Sequence, residues 1–418
     1  MLKNLLAFLI LYILFWLGLT LSRLAYGQSA QQDVTGFGLQ LPNLTATEVG
    51  QFNTGEAGFV KTQTVTDDGL GPIFNGQSCV QCHNVPTIGG SSGNTETRFG
   101  QLVNGVFNPL LNESGSLLHQ NSITPAVQMV VPDDANVVAR RKANPLFGLG
   151  LIEAIPDAEI IANKHNPPVD GITGVPAMVQ DHSSGQNGTP NVNLVGRFGW
   201  KNQIASLLEF SADAYINEIG VTTRIPGFNQ DIAPDGNQAA LLAVEPSLTG
   251  FAFDQLQDEE KGGFPQQSGH TADIDGFADF MRMLSPPPVV PMSASAQNGK
   301  FLFTQINCVA CHKPTAITGA SNIAALAFQN IAPYSDFLLH DMGTLGDGIA
   351  QGAASTTQMR TQPLWGLRAR APFLHDGRSP TILDAILQHA GEATIVVARF
   401  KALTPAQQQS VIDFLNTI

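Results

Sequence analysis

All four cysteines of this 418-residue chain fall in two copies of one pentad, Cys79-Val80-Gln81-Cys82-His83 and Cys308-Val309-Ala310-Cys311-His312. The spacing C-x-x-C-H constrains the fold more than any other feature, because it is the attachment pattern of c-type haem. Each thiol adds to a vinyl group of the porphyrin. The two intervening residues let one turn of backbone span both bonds, and the next residue, His83 or His312, reaches the iron from the proximal side. A thioredoxin-like dithiol would not require histidine at that position. Zinc would need four ligands on one ion, so the two distant pentads would have to fold together.

The N-terminus supports export independently. Lys3 precedes an apolar run from Leu5 to Leu21, and Ala25-Tyr26-Gly27 places small residues where a signal peptidase reads. Residues 1–27 are expected to be a signal peptide, or an anchor if uncleaved, since the run is long for a signal core. Export suits covalent haem attachment, which is completed outside the bacterial cytoplasm, and the expected location is the periplasm. Membrane contact is expected only if the segment stays uncleaved. The net charge of −13 argues against nucleic acid and suits a small basic electron-donor protein, or simply a solvated acidic surface. No thiol is left over for a disulfide.

Three internal echoes organise the rest. GPIFNGQSCVQCH stands beside GKFLFTQINCVACH, with Phe74 and Phe303 each five residues before the first cysteine, placed to pack a short helix over the porphyrin edge. RRKANPLFGLGLIEAIPDAEI, from Arg140, stands beside RTQPLWGLRARAPFLHDGRSPTILDAI, from Arg360. ADFMRML, ending at Leu284, stands beside IDFLNTI, ending at Ile418, and both carry apolar residues at helical spacing. Thr404-Pro405 marks a helix start. The expected fold is mainly α, with two cytochrome c-like domains, one covalent haem in each, and long loops. The N-terminal domain spans 28–284 and includes an insertion from about Asn163 to His270. The Pro-rich linker is 285–291, and the C-terminal domain is 292–418.

The sixth ligands decide what each iron does. For the second haem the candidate is Met342, in LLHDMGTLGDG, whose thioether would raise the potential; a core methionine is the alternative. In the first half His119 and Met129 occupy the corresponding interval, read as a surface histidine and a buried methionine, so that haem is expected to keep an exchangeable side. Breaking an O–O bond there calls for a proton-transfer group. Glu153 is the candidate, because an acid among the apolar neighbours of GLGLIEAIP favours its protonated form; a structural pair with an arginine is the alternative.

The pentads, PLFGLGLIEAIPDAEI, GRFGWKNQ, the HDMG segment and PLWGLRARAPFLHDGRSPTILDAI together resemble the bacterial di-haem oxidoreductases that include peroxidases and thiol oxidoreductases. That family is akin to di-haem cytochrome c peroxidases. The likeness runs from about Gly55 to the C-terminus. It implies two haem c groups, His312 and Met342 as the axial pair of an electron-transfer haem, and His83 as proximal ligand of a peroxide-reactive one. It also implies a distal glutamate, matched here by Glu153 in a different surrounding motif, and a calcium ion between the domains whose ligands the sequence does not identify. Trp200 or Trp365 is a candidate relay between haems, with core packing as the alternative. The FLHDGRS loop is read as support for the haem, Asp376 and Arg378 fixing one another and holding a propionate, with ligation by His375 the lesser reading. The expected activity is peroxide reduction with electrons from a small donor protein or other reductant. A carrier without catalysis and an oxidase of an organic or protein substrate are the alternatives.

Overall fold

The computed structural model describes residues 34–111, 115–183, 192–225, 227–228 and 273–418. The expected leader and much of the insertion lie outside the described residues. Gly36–Ile418 forms one compact unit. The helices that position the candidate sites are α1 (Ala46–Val60), α2 (Leu207–Ala214), α3 (Asp273–Met283), α4 (Ala294–Gln305), α5 (Ile382–Leu387) and α6 (Pro405–Leu415).

Local chemistry sets the ends. The Thr45 hydroxyl accepts the Glu48 amide while Glu48 reaches back to the Thr45 amide, and Thr404 and Gln407 repeat this capping box at α6, with Pro405 in the first turn. Amides without an intrahelical partner are thereby satisfied. The helix start expected at Thr404-Pro405 is where α6 begins.

The opening helix of each half packs on its closing helix, α1 on α3 and α4 on α6. Both pairs use one device. A Cβ built on Gly55 would lie 2.2 Å from the Gly276 carbonyl oxygen, and one built on Gly299 would lie 1.8 Å from that of Ser410. Only glycine lets the backbones touch like this. One turn further on, Phe59 and Phe303 meet Phe280 and Phe414, with ring centroids 5.0 and 5.4 Å apart.

Phe59, and not Phe74, is thus the counterpart of Phe303. Phe74 lies in the short strand Ile73–Phe74, paired with Asn121–Ser122. In the first half a longer segment separates helix from pentad, so counting back from the cysteine lands in a different element.

The Pro-Leu loops match bond for bond. Gly148 and Gly366 both have φ of 72°, in the left-handed region. Their amides donate to Leu284 O (3.0 Å) and Ile418 O (2.8 Å), the last residues of the third echo. Trp365 sits over Gly148, and Pro287 sits over Gly366. The proline run Ser285–Pro291 is therefore packed between the repeats, with Pro287 buried.

The expectation of a mainly α fold with loops missed a sheet in the first half. It comprises β1 (Thr95–Val103), β2 (Val106–Asn108), β3 (Leu117–Leu118) and β4 (Val137–Lys142), all antiparallel, with β1 bonded to the other three. Phe99 of β1 closes a small core with Ile73, Leu110, Val127 and Met129. No helix among the described residues is long and apolar enough to cross a membrane.

Candidate haem centres

The second pentad follows α4 as a 3-10 turn, Cys308–Ala310. The His312 Nδ1–H donates to Tyr334 O at 3.1 Å. That bond fixes the tautomer and leaves Nε2 with its lone pair for a metal. Burial holds His312 down to about 4, so the ring is neutral. Across from it lies His389, just past α5, whose Nδ1–H donates to Ala385 O at 2.8 Å. Burial depresses this imidazole too. The two ring centroids are 6.5 Å apart. Metal–imidazole bonds of about 2 Å on opposite sides of one ion would set them roughly 6.4 Å apart.

Sequence reading missed His389, which stands three residues past the quoted stretch that ends at Ile386, just beyond a helix capped by Thr381. Met342 lines the same cavity, together with Cys308, Cys311, His312, His375 and His389. The ring that faces His312 belongs to His389, and Met342, the expected axial ligand, is another lining residue of the same cavity.

The cavity passes a second test of fit for haem. Arg360 and Arg370 line it, and burial lowers them to about 9 and 10, with no carboxylate among the causes to offset it. Arg360 donates to Arg197 O and to Gln362, while its Nε has no partner. Two guanidiniums, Arg360 buried and Arg370 partly so, with no counter-ion among the described residues, suit the paired propionates of a haem. Arg378, expected to hold a propionate, instead bonds Asp376 at 2.5 Å with its side chain 41% exposed.

The HDMG segment has another task. His340 is clamped between Asp336 (Nε2 to Oδ2, 2.9 Å) and Glu392 (Nδ1 to Oε2, 2.8 Å). Bonds to these carboxylates outweigh burial and push it up to about 12. Ligand atoms of Cys311, Asp336 and His340 lie within 4.8 Å of one another. Both imidazole nitrogens are already donors, so no lone pair is left for an ion.

The first pentad repeats the proximal arrangement. The His83 Nδ1–H donates to Gly90 O at 3.0 Å, the ring lies 5.9 Å from Phe59, and burial holds it down to about 4. Leu146 and Leu364 amides bond Gly89 O and Pro333 O, and Ser91 and Ser335 hydroxyls bond Ala143 O and Thr361 O, both at 2.6 Å. Burial pushes the Cys79 and Cys308 thiols up to about 12 and Cys82 to about 11. Redox dithiols and zinc thiolates need the opposite shift.

The far sides differ. Bridges Phe198↔Ile204 and Phe373↔Ser379 lead to caps Ser206 and Thr381 and then to α2 and α5. Counting from each cap, the eighth residue is Ala214 in the first half and His389 in the second. Beyond Ala214 the helix widens into a π turn, Tyr215–Ile219, ended by Gly220 at φ 80°. Such turns are rare and often mark functional sites.

Glu153 is engaged elsewhere. Its carboxylate bonds the Arg282 guanidinium (2.8 and 3.3 Å) and the Leu207 amide at the start of α2 (2.7 Å). A proton-transfer group needs a lone pair facing the reacting atom, and these bonds fit the structural pair with arginine. His119 is buried, not at the surface, with Nδ1 3.1 Å from Met129 Sδ. Among the acids near the first pentad, Glu218 and Glu96 raise Cys82 and Asp273 raises Cys79. Burial and Glu96 push Glu218 up to about 8, while Arg98 holds Glu96 low. Glu218 also accepts from Asn75 at 2.9 Å.

Trp200 connects the halves. It lines the second cavity, donates Nε1–H to Lys142 O at 2.8 Å, and lies 6.2 Å from the His375 ring. Trp365 packs on the Gly148 turn.

The sequence of the di-haem oxidoreductase, putative peroxidase family matches residues 118–418. The chain belongs to that family and is a haem-dependent oxidoreductase. Solved structures with weaker likeness include the diheme peroxidase BthA from Burkholderia thailandensis (13% identity, 88% of this chain, 85% of that one, TM-score 0.40). A MauG-like protein associated with microbial copper homeostasis gives 14% identity over 93% and 95% at TM-score 0.37. Kuenenia stuttgartiensis hydrazine synthase gives 12% over 94% and 98% at TM-score 0.37. Likeness at that level does not extend to activity. No curated protein matches.

Proposed function

We propose that the chain is an exported, periplasmic peroxidase of two cytochrome c-like halves, each with one covalent haem. His312 and His389 would hold the second haem, which would store electrons, and His83 would hold the first, which would meet peroxide. The observation that carries this is Ala214 standing where His389 stands. A methyl group cannot ligate, so His83 would be the residue that holds the first haem, and a small molecule could be taken up opposite it.

When bound, the haems supply one-electron transfer and the reduction of peroxide. Each peroxide takes two electrons, from a small donor protein or other one-electron reductant, and two protons to give two waters. Glu218 and Glu96, beside Cys82, are suited to hold and pass those protons, the role the sequence had suggested for Glu153. Trp200 lies where electrons would cross from the second half.

The test is an EPR and optical titration of the purified holoprotein. The expected result is one low-spin haem indifferent to peroxide and one high-spin haem altered by it. Two low-spin haems that both ignore peroxide, oxidised and half-reduced, would make the protein an electron carrier and end the peroxidase reading.

A further inference from the structure

The resemblance to di-haem peroxidases implies a calcium ion between the halves. Calcium takes six to eight oxygens, usually with several carboxylates among them. Among the described residues, the one cluster of three or more ligand-type side chains close enough for a metal is Cys311, Asp336 and His340, which is already accounted for. Five backbone carbonyls and one carboxylate of the second half are engaged by lysines of the first.

Lys142, at the end of β4 in the first half, sends Nζ to Pro372 O (2.5 Å) and Arg370 O (3.4 Å) in the second. Lys201, next to Trp200, sends Nζ to Gln358 O (2.6 Å), Ser355 O (3.1 Å) and Thr356 O (3.5 Å) and pairs with Asp347 Oδ1 at 2.9 Å. The side chains of Lys201 and Asp347 are both 0% exposed. Asp347 also receives Arg141, whose side chain is 2% exposed. Backbone carbonyls with one carboxylate are the kind of donor set a hard cation uses. Here two ammonium groups fill it, each carrying its charge on a stem anchored in the other half.

We propose that Lys142 and Lys201 are the built-in cations of the junction, and that this chain holds no calcium between its haems. The backbone that carries these ammonium groups also holds Trp200. The Trp200 Nε1–H is bonded to Lys142 O, the Trp200 carbonyl accepts the Arg360 amide at 2.9 Å, and the Lys142 amide donates to His375 O at 2.6 Å. Burial lowers both lysines to about 8, so both stay charged at neutral pH. None of this depends on which haem meets peroxide.

The test uses the full holoprotein, desalted into calcium-free buffer. Elemental analysis is expected to find calcium well below one per chain, and neither EDTA nor added calcium should shift the thermal midpoint or either haem spectrum. One calcium per chain, with a midpoint or spin state that moves when EDTA removes it, would overturn the proposal. Lys142→Gln and Lys201→Met keep most of each stem and remove its charge. Each is expected to lower the midpoint by several degrees and to slow electron equilibration between the haems without changing either spin state. Wild-type midpoints and equilibration rates in both variants would overturn it equally.

Discussion

The two halves agree on the proximal side and part company on the distal one. His83 and His312 each donate to a backbone carbonyl, each sits near a phenylalanine one turn beyond a helix-crossing glycine, and each is held neutral by burial. The helices α2 and α5 leave equivalent caps, yet one delivers Ala214 and the other His389. The repeated scaffold sets where a haem is gripped. On the reading proposed here, a single position at the end of an equivalent helix is what separates the two irons.

The largest effect should come from removing the imidazole that separates the halves. His389→Ala is expected to turn the second haem from low-spin to high-spin by EPR and leave the first unchanged. Met342→Ala is the control that sharpens the assignment, since a wall residue can be cut back without changing spin state. If Met342→Ala instead produces the high-spin signal, the thioether is the ligand after all.

The reverse change comes next. Ala214→His places an imidazole at the open position, so the first haem is expected to become low-spin and peroxide turnover to fall to background. A variant that keeps full turnover would mean that the register between α2 and α5 does not mark the distal site.

A third pair of variants separates two acids. Glu218→Gln should cost turnover by roughly 10²–10⁴-fold, the usual worth of a positioned proton-transfer group, with spin states and thermal midpoint near wild type. Glu153→Ala should do the opposite. Removing Glu153 leaves Arg282 only its longer pair with Asp279 (3.6 Å) and takes the acceptor from the Leu207 amide, so the cost is expected at the low end of the about 3–5 kcal/mol of a broken buried pair. A denaturant titration beside a turnover assay distinguishes them. Loss of turnover in folded Glu153→Ala alone would restore the sequence-based assignment.

The sequence made the repeated parts legible, because repetition is visible wherever spacing is kept. The pentads, the Pro-Leu turns and the closing helices keep theirs, so the proximal ligands and the α3 and α6 echoes were readable. Phe59 was hidden because the segment between α1 and Cys79 is longer than its counterpart. His389 was hidden because its counterpart is an alanine; an echo cannot point to a residue that only one copy possesses. Glu153 looked catalytic from its apolar neighbours, and its partner, Arg282, is 129 residues away. The sheet of the first half escaped because β2 and β3 are too short to show alternation.

The smallest expected effect concerns the clamp on the loop after α5 in the second half, which has no counterpart among the described residues of the first. His340 is raised from its ordinary 6.5 to about 12, so its contribution to stability is complete below 6.5 and fades as pH rises toward 12. Glu392, held by His340 and by the Thr173 and Gly174 amides, is lowered from 4.5 to about 2. Its contribution is complete above 4.5 and is lost as pH falls toward 2. Together they act fully only between about pH 4.5 and 6.5. His340→Gln should therefore lower the thermal midpoint by several degrees in that window, with the gap from wild type narrowing on either side. Glu392 stands three residues beyond His389, so the clamp ties the loop carrying the distal imidazole to the strand Leu339–Asp341. A gap that stays constant from pH 4 to 9 would mean that His340 acts by packing alone, and the second half would then hold its distal ligand without help from charge.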